Sequence, residues 1–112
     1  MAENSHYVMI LIAAPVAQAA ELARAFVAGR AAACAQVTKP VTSFYHWKGE
    51  LCEEEEALVF LKTRADKTEA VMRLVREKHP YEVPEAIVFP LTGGNEAYFR
   101  WIDESLGADG SG

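Results

Sequence analysis

The sequence predicts an α+β fold, with an antiparallel sheet carrying helices on one face. Three observations predict it. Apolar runs of strand length alternate with stripes of helical period, in the order β-α-β-β-α-β with one further helix. A Lys48-Gly49 turn joins two runs with no intervening helix, which is a hairpin signal. The chain has 112 residues, of which 51% are hydrophobic, enough for one core and one domain spanning 1–112.

Each element has its own warrant. Residues 7–14 are an uninterrupted apolar run, as a central strand requires, and Pro15 ends it. Apolar residues at 16, 19, 20, 23, 26 and 27 form one helical stripe, with Gly29 at its end and no Ser, Thr, Asp or Asn to cap its start. Residues 33–37 read as strand, broken near Lys39-Pro40, and residues 42–47 as strand again. Residues 51–63 hold neither Gly nor Pro and read as one long strand. Asp66 opens the next helix with Glu69 three positions on, a capping-box pattern; Val71, Leu74 and Val75 are its stripe. Lys78 and His79 close it, because the residue before Pro80 avoids helical geometry. The stretch "EAIVFPL" is the last main strand, ended by Pro90. Asn95 caps a final helix whose stripe is Tyr98, Trp101, Ile102 and Leu106. Residues 5–106 are the expected ordered core and 107–112 a frayed tail. This order is the ferredoxin-like βαββαβ plan with an extra C-terminal helix.

The hairpin is too long for its own domain. At ~3.3 Å per residue, strand 51–63 reaches roughly 40 Å. A domain of this length has a diameter of about 34 Å. The hairpin must bend or project, and its tip carries Phe44, Tyr45, Trp47 and Leu51. Pairing with sister copies in a closed ring covers those side chains and the strand edges. The alternative is a bulged hairpin folded back on a lone subunit.

Composition removes several classes. The net charge is −5 with no basic block, which argues against a nucleic-acid partner. Cys34 and Cys52 are the only cysteines, so a disulfide framework is excluded and free thiols in a reducing cytoplasm are expected. "VMILIAA" followed by "AQA" mimics a secretory signal, but "MAENSH" lacks the positive start such a signal needs. No apolar run approaches the ~18 residues of a membrane span. The run Glu53–Glu56 alternates between the two faces of a strand and reads as a solvated rim, or as a weak attractor of hard cations.

The motifs "AAACAQV", "SFYHWKGELCEEEEALVFLKT", "KHPYEVPE" and "Y..WI..S" occur in that order, within a resemblance that covers about residues 7–106. Together they resemble the CutA family of divalent-cation tolerance proteins. The resemblance implies a PII-like homotrimer, a role in copper tolerance and no enzymatic activity. It implies no obligatory cofactor, and copper or another divalent cation as ligand. The family's metal site draws on a cysteine in the first strand and histidines before "PY". Here those positions hold Ile12 and the pair Lys78-His79.

The candidate metal ligands are therefore His79, whose imidazole suits copper or zinc, and the thiol of Cys34. A second set, Tyr45, Trp47, Lys62, Tyr81 and Glu85, combines aromatic and polar groups around a connector stiffened by Pro80 and Pro84. In a trimer these residues line a cleft between subunits suited to a small ligand. The functions that follow are metal tolerance by a cytoplasmic homotrimer that binds or signals, or a PII-like small-ligand sensor. An acylphosphatase-like enzyme is a third reading; it needs an anion-cradling loop with Arg and Asn after the first strand, which is lacking.

Overall fold

A computed structural model describes residues 6–107. The elements are β1 (Tyr7–Pro15), α1 (Val16–Ala28), β2 (Cys34–Val37), β3 (Val41–Trp47), β4 (Glu50–Arg64), α2 (Thr68–Lys78), β5 (Ala86–Leu91) and α3 (Glu96–Leu106). The expected tail lies outside the described residues, apart from Gly107.

All strand pairings are antiparallel. β1 is central, between β4 and β5. The long β4 carries β2 along residues 59–62 and β3 along residues 50–56 of the same edge. Thr38 stitches the break between β2 and β3, since its backbone N–H donates to the Leu58 carbonyl and its Oγ1 accepts from the Leu58 N–H, both at 2.9 Å.

The even-numbered residues of β1 face the main core. Val8, Ile10 and Ile12 meet Val59 and Leu61 of β4, and α1 and α2 cover them with Leu22, Phe26, Val71 and Val75. The period of two in the strand and 3.6 in the helices thus delivers one shared apolar layer. Odd-numbered Tyr7 lies on the opposite face, where α3 packs: Phe99 stacks on Tyr7 at 4.6 Å between ring centroids, and Ile102 and Leu106 are fully buried. α1 and α2 thus share one face, as the ferredoxin-like plan requires, and the extra C-terminal helix packs on the other.

Two boundaries differ from expectation for physical reasons. Asp66 does not cap α2. Its carboxylate accepts from Arg64 Nε at 3.1 Å, a 3-10 turn over Ala65–Lys67 intervenes, and Glu69 pairs with Arg76 at 2.9 Å instead of closing a capping box. Pro90 does not end β5, which runs on to Leu91. β5 pairs with β1 alone, and an edge strand tolerates a residue with no N–H to donate.

The hairpin does not fold back. The β3–β4 register runs unbroken from Val41 opposite Glu56 to Trp47 opposite Glu50. β1 ends opposite Glu56, so residues 50–55 have a strand on one edge only. The ribbon projects, and the molecule measures 44 × 29 × 23 Å.

Candidate functional site

The site is built where the connector after α2 returns across the sheet. His79 leaves helical geometry at ψ 135°, as a residue preceding proline should. Its ring then reaches β1. Nδ1 accepts from the Tyr81 backbone N–H at 3.2 Å, so Nε2 carries the hydrogen and donates to the Ala13 carbonyl at 2.8 Å. The Tyr81 hydroxyl donates to Glu56 Oε2 on β4 at 2.7 Å. Two side chains thus tie the connector to adjacent strands, and the prolines limit what else it can do.

Glu56 shares its face of the ribbon with Tyr45 and Trp47, because all three occupy same-side positions in the β3–β4 register. The tied connector and this ribbon face border a half-open cavity of about 410 Å³. Three rings line it, from Tyr45, Trp47 and Tyr81, with three carboxylates, from Glu56, Glu82 and Glu85. Ala13, Pro80 and Val83 complete the wall. At the rim, the Lys48 ammonium lies 5.7 Å from the Trp47 ring centroid and 3.8 Å from Glu82.

The electrostatics are negative. Burial, then the hydrogen bond to Glu56, pushes the Tyr81 hydroxyl well above the usual phenol range. Burial also raises Tyr45, helped by the negative charge of Glu54 and Glu56. Both tyrosines are neutral phenols at ordinary pH.

Four of the five expected cleft residues, Tyr45, Trp47, Tyr81 and Glu85, line this cavity, and one chain builds it. Lys62 does not join them. It shares the sheet face, but lies six residues along β4 from Glu56, about 20 Å away at ~3.3 Å per residue, and its ammonium donates to Gln36 Oε1. Glu56 was read as part of a charged rim or a weak cation attractor; it is 5% exposed and its carboxylate accepts from Tyr81 at the cavity.

The expected metal ligands are not brought together. Cys34 aligns with Met9 through Lys62, whereas His79 sits at Ala13. Four residues of strand separate them, about 13 Å. Both nitrogens of His79 are engaged by backbone groups, which leaves no lone pair for a cation. Ile12 is fully buried in the main core. Cys34 instead neighbours Tyr98, whose hydroxyl is pushed up to about 12 by burial and by its hydrogen bond with that thiol. The residues at these positions do not fit a metal. Among the described residues, no three His, Cys, Asp or Glu side chains form a metal-holding group.

A family model described as "CutA1 divalent ion tolerance protein" matches residues 8–105. The divalent-cation tolerance protein CutA of Escherichia coli O139:H28 is 38% identical over 104 residues, covering 92% of this chain and 93% of its own. A CutA homolog from Xenopus laevis is 43% identical over 86 residues, 77% of this chain. The chain spans about half the length of the vertebrate relatives, 57% for Xenopus laevis and 49% for Mus musculus. Among solved structures, CutA from Synechococcus elongatus superposes with a TM-score of 0.87 at 30% identity, covering 93% of each chain. A CutA from Nostoc, described as PII-like, superposes at 0.84 with 28% identity over 89% of this chain and 97% of its own. The motifs, the strand order and the superpositions agree: this chain belongs to the CutA1 divalent ion tolerance family.

Proposed function

We propose that this protein acts in divalent-cation tolerance as a cytoplasmic, PII-like homotrimer that binds a small ligand and signals its presence, without catalysis. The observation that carries the reading is the preformed cavity, held open by the Tyr81–Glu56 and His79–Ala13 hydrogen bonds. A pocket of this size with fixed rings and a few polar groups has the make-up of a small-molecule site. The connector is already ordered, so a ligand does not have to fix it on binding. Family membership supplies the link to divalent cations. Trimer formation is supported by the projecting ribbon, whose Phe44 and Leu51 are 65% and 70% exposed. Acyl-phosphate turnover is disfavoured, since three carboxylates and no Arg or Lys line the cavity.

A thermal-shift screen of small metabolites and of Cu²⁺ tests the reading, run on the wild type and on Trp47→Leu. The expected result is stabilisation by at least one organic compound, lost in Trp47→Leu, and a Cu²⁺ response that Trp47→Leu leaves unchanged. A screen in which only Cu²⁺ stabilises the protein, with His79→Gln abolishing the effect, would overturn the small-ligand reading and restore the histidine as a metal ligand.

A further inference from the structure

We propose that the cavity takes an organic cation, an alkylammonium or a protonated amine, held between the rings of Tyr45, Trp47 and Tyr81 and neutralised by Glu56. This rests on the reading of the cavity as a ligand site and names the ligand's chemistry.

The first argument is an unbalanced buried charge. Glu56 is 5% exposed, and among the described residues it has no cationic partner. Its one hydrogen bond comes from the neutral Tyr81 hydroxyl and reaches only Oε2. Carboxylates this deep in proteins are ordinarily paired. Among the described residues no side-chain oxygen is both fully buried and unpartnered, so Oε1 opens to the cavity, where a cationic donor best offsets the charge.

The second argument is the sign of the whole lining. Three carboxylates and no Lys or Arg line the cavity, and Lys48 stands at the rim against Glu82. Three negative charges against one positive leave a net of two negative, so an anion is repelled and a cation drawn in.

The third argument separates organic from metal cations. A hard divalent ion wants six to eight oxygens. The three carboxylates of this wall do not converge to supply them, since among the described residues no three His, Cys, Asp or Glu side chains form a metal-holding group. The faces of Trp and Tyr instead attract weakly hydrated ammonium groups, best when water is excluded. The rim shows the same chemistry within the chain itself, where the Lys48 ammonium stands 5.7 Å from the Trp47 centroid.

The test uses three probes of similar size: choline, its uncharged isostere 3,3-dimethylbutan-1-ol, and butyrate. Binding is read on the assembled protein from the Trp47 indole N–H resonance. Choline is expected to bind about tenfold more tightly than the alcohol, the range a desolvated cation–π contact allows, with no binding of butyrate. Glu56→Gln is expected to remove that preference and leave the alcohol unaffected. Tyr45→Leu removes another ring of the wall and keeps the Trp47 reporter, so it checks the site if Glu56→Gln fails to fold: choline is expected to lose its preference over the alcohol. Equal binding of choline and the alcohol, or tighter binding of butyrate, would overturn the inference while leaving the cavity a ligand site. Failure of all three to bind would overturn it too. The metabolite screen then decides separately whether the cavity binds anything.

Discussion

Tyr81 links two residues distant in sequence, and the stability of the connector turns on that link. Its hydroxyl reaches Glu56 across 25 positions of chain. Removing the donor leaves a buried carboxylate without its partner, at a cost of about 1.5–3 kcal/mol for a bond to a charged group. Tyr81→Phe should therefore lower the urea midpoint without changing the slope of the transition. A midpoint equal to wild type would mean that the bond is not made in solution. A second residue-scale link joins Tyr7 to α3, where the hydroxyl donates to Asp103 Oδ2 at 2.7 Å. That bond holds the Asp103 carboxyl below its ordinary value, with help from Arg64 and His6. A carboxyl depressed in the folded state adds stability above its unfolded pKa, about 3.9, and loses it as pH falls through the folded value. Tyr7→Phe should thus be less stable than wild type at pH 6, with the gap narrowing below about pH 3.9. Chemical denaturation at a series of pH values reads this directly. Residue by residue, the sequence exposed the site unevenly. Tyr45, Trp47, Tyr81 and Glu85 stood out because aromatics in a hairpin and polar groups between prolines are unusual. Glu56 did not, because it is the last of four consecutive glutamates. Only the register that stops β1 opposite it, and the hydroxyl arriving from residue 81, set it apart.

Elements were legible where one local rule governed them. The Lys48-Gly49 turn takes positive φ at both residues, 52° and 82°, as the right-handed twist of a tight hairpin demands. A methyl group at Gly49 would meet nothing within 4 Å, so Gly49→Ala isolates the backbone cost. That cost is about 1–2 kcal/mol for an L-residue in the left-handed region. Thermal denaturation should show a lower midpoint for Gly49→Ala, and an unchanged one would mean the turn relaxes freely. Asn95 is a similar success, since its Oδ1 accepts from the Ala97 N–H at 3.0 Å at the start of α3. Elements were misread where tertiary partners overrode the local rule. Arg64 draws Asp66 away from the helix it would otherwise cap. The α3 stripe also divides: Ile102 and Leu106 are buried, but Trp101 is 42% exposed and stacks on Tyr98 at 5.5 Å. No periodicity within the helix could reveal which residues of the stripe the sheet covers.

At the scale of the molecule, an elongated shape and a sheet face that α3 covers only in part belong together. The radius of gyration is 14.6 Å, above the ~13 Å typical for this length, and the long axis follows from the unbroken ribbon. On the side opposite α1 and α2, Met9 and Leu11 align with Phe89 and Ile87, and the last two are 40% and 45% exposed. Covering side chains such as these, with Phe44 and Leu51 at the tip, is worth roughly 1 kcal/mol or more apiece, about half of full burial. Scattered apolar residues need no explanation, but a contiguous face beside an open strand edge does. The disproportion between strand length and domain diameter was visible in the sequence alone; the cavity within one chain was not, since it depends on hydrogen bonds between residues far apart. The central claim is that sister copies cover the ribbon and the rest of that face. Sedimentation equilibrium over a wide concentration range tests it most directly. The account predicts one species at three times the 12.3 kDa chain mass, persisting on dilution. A 12.3 kDa particle at every concentration would contradict it.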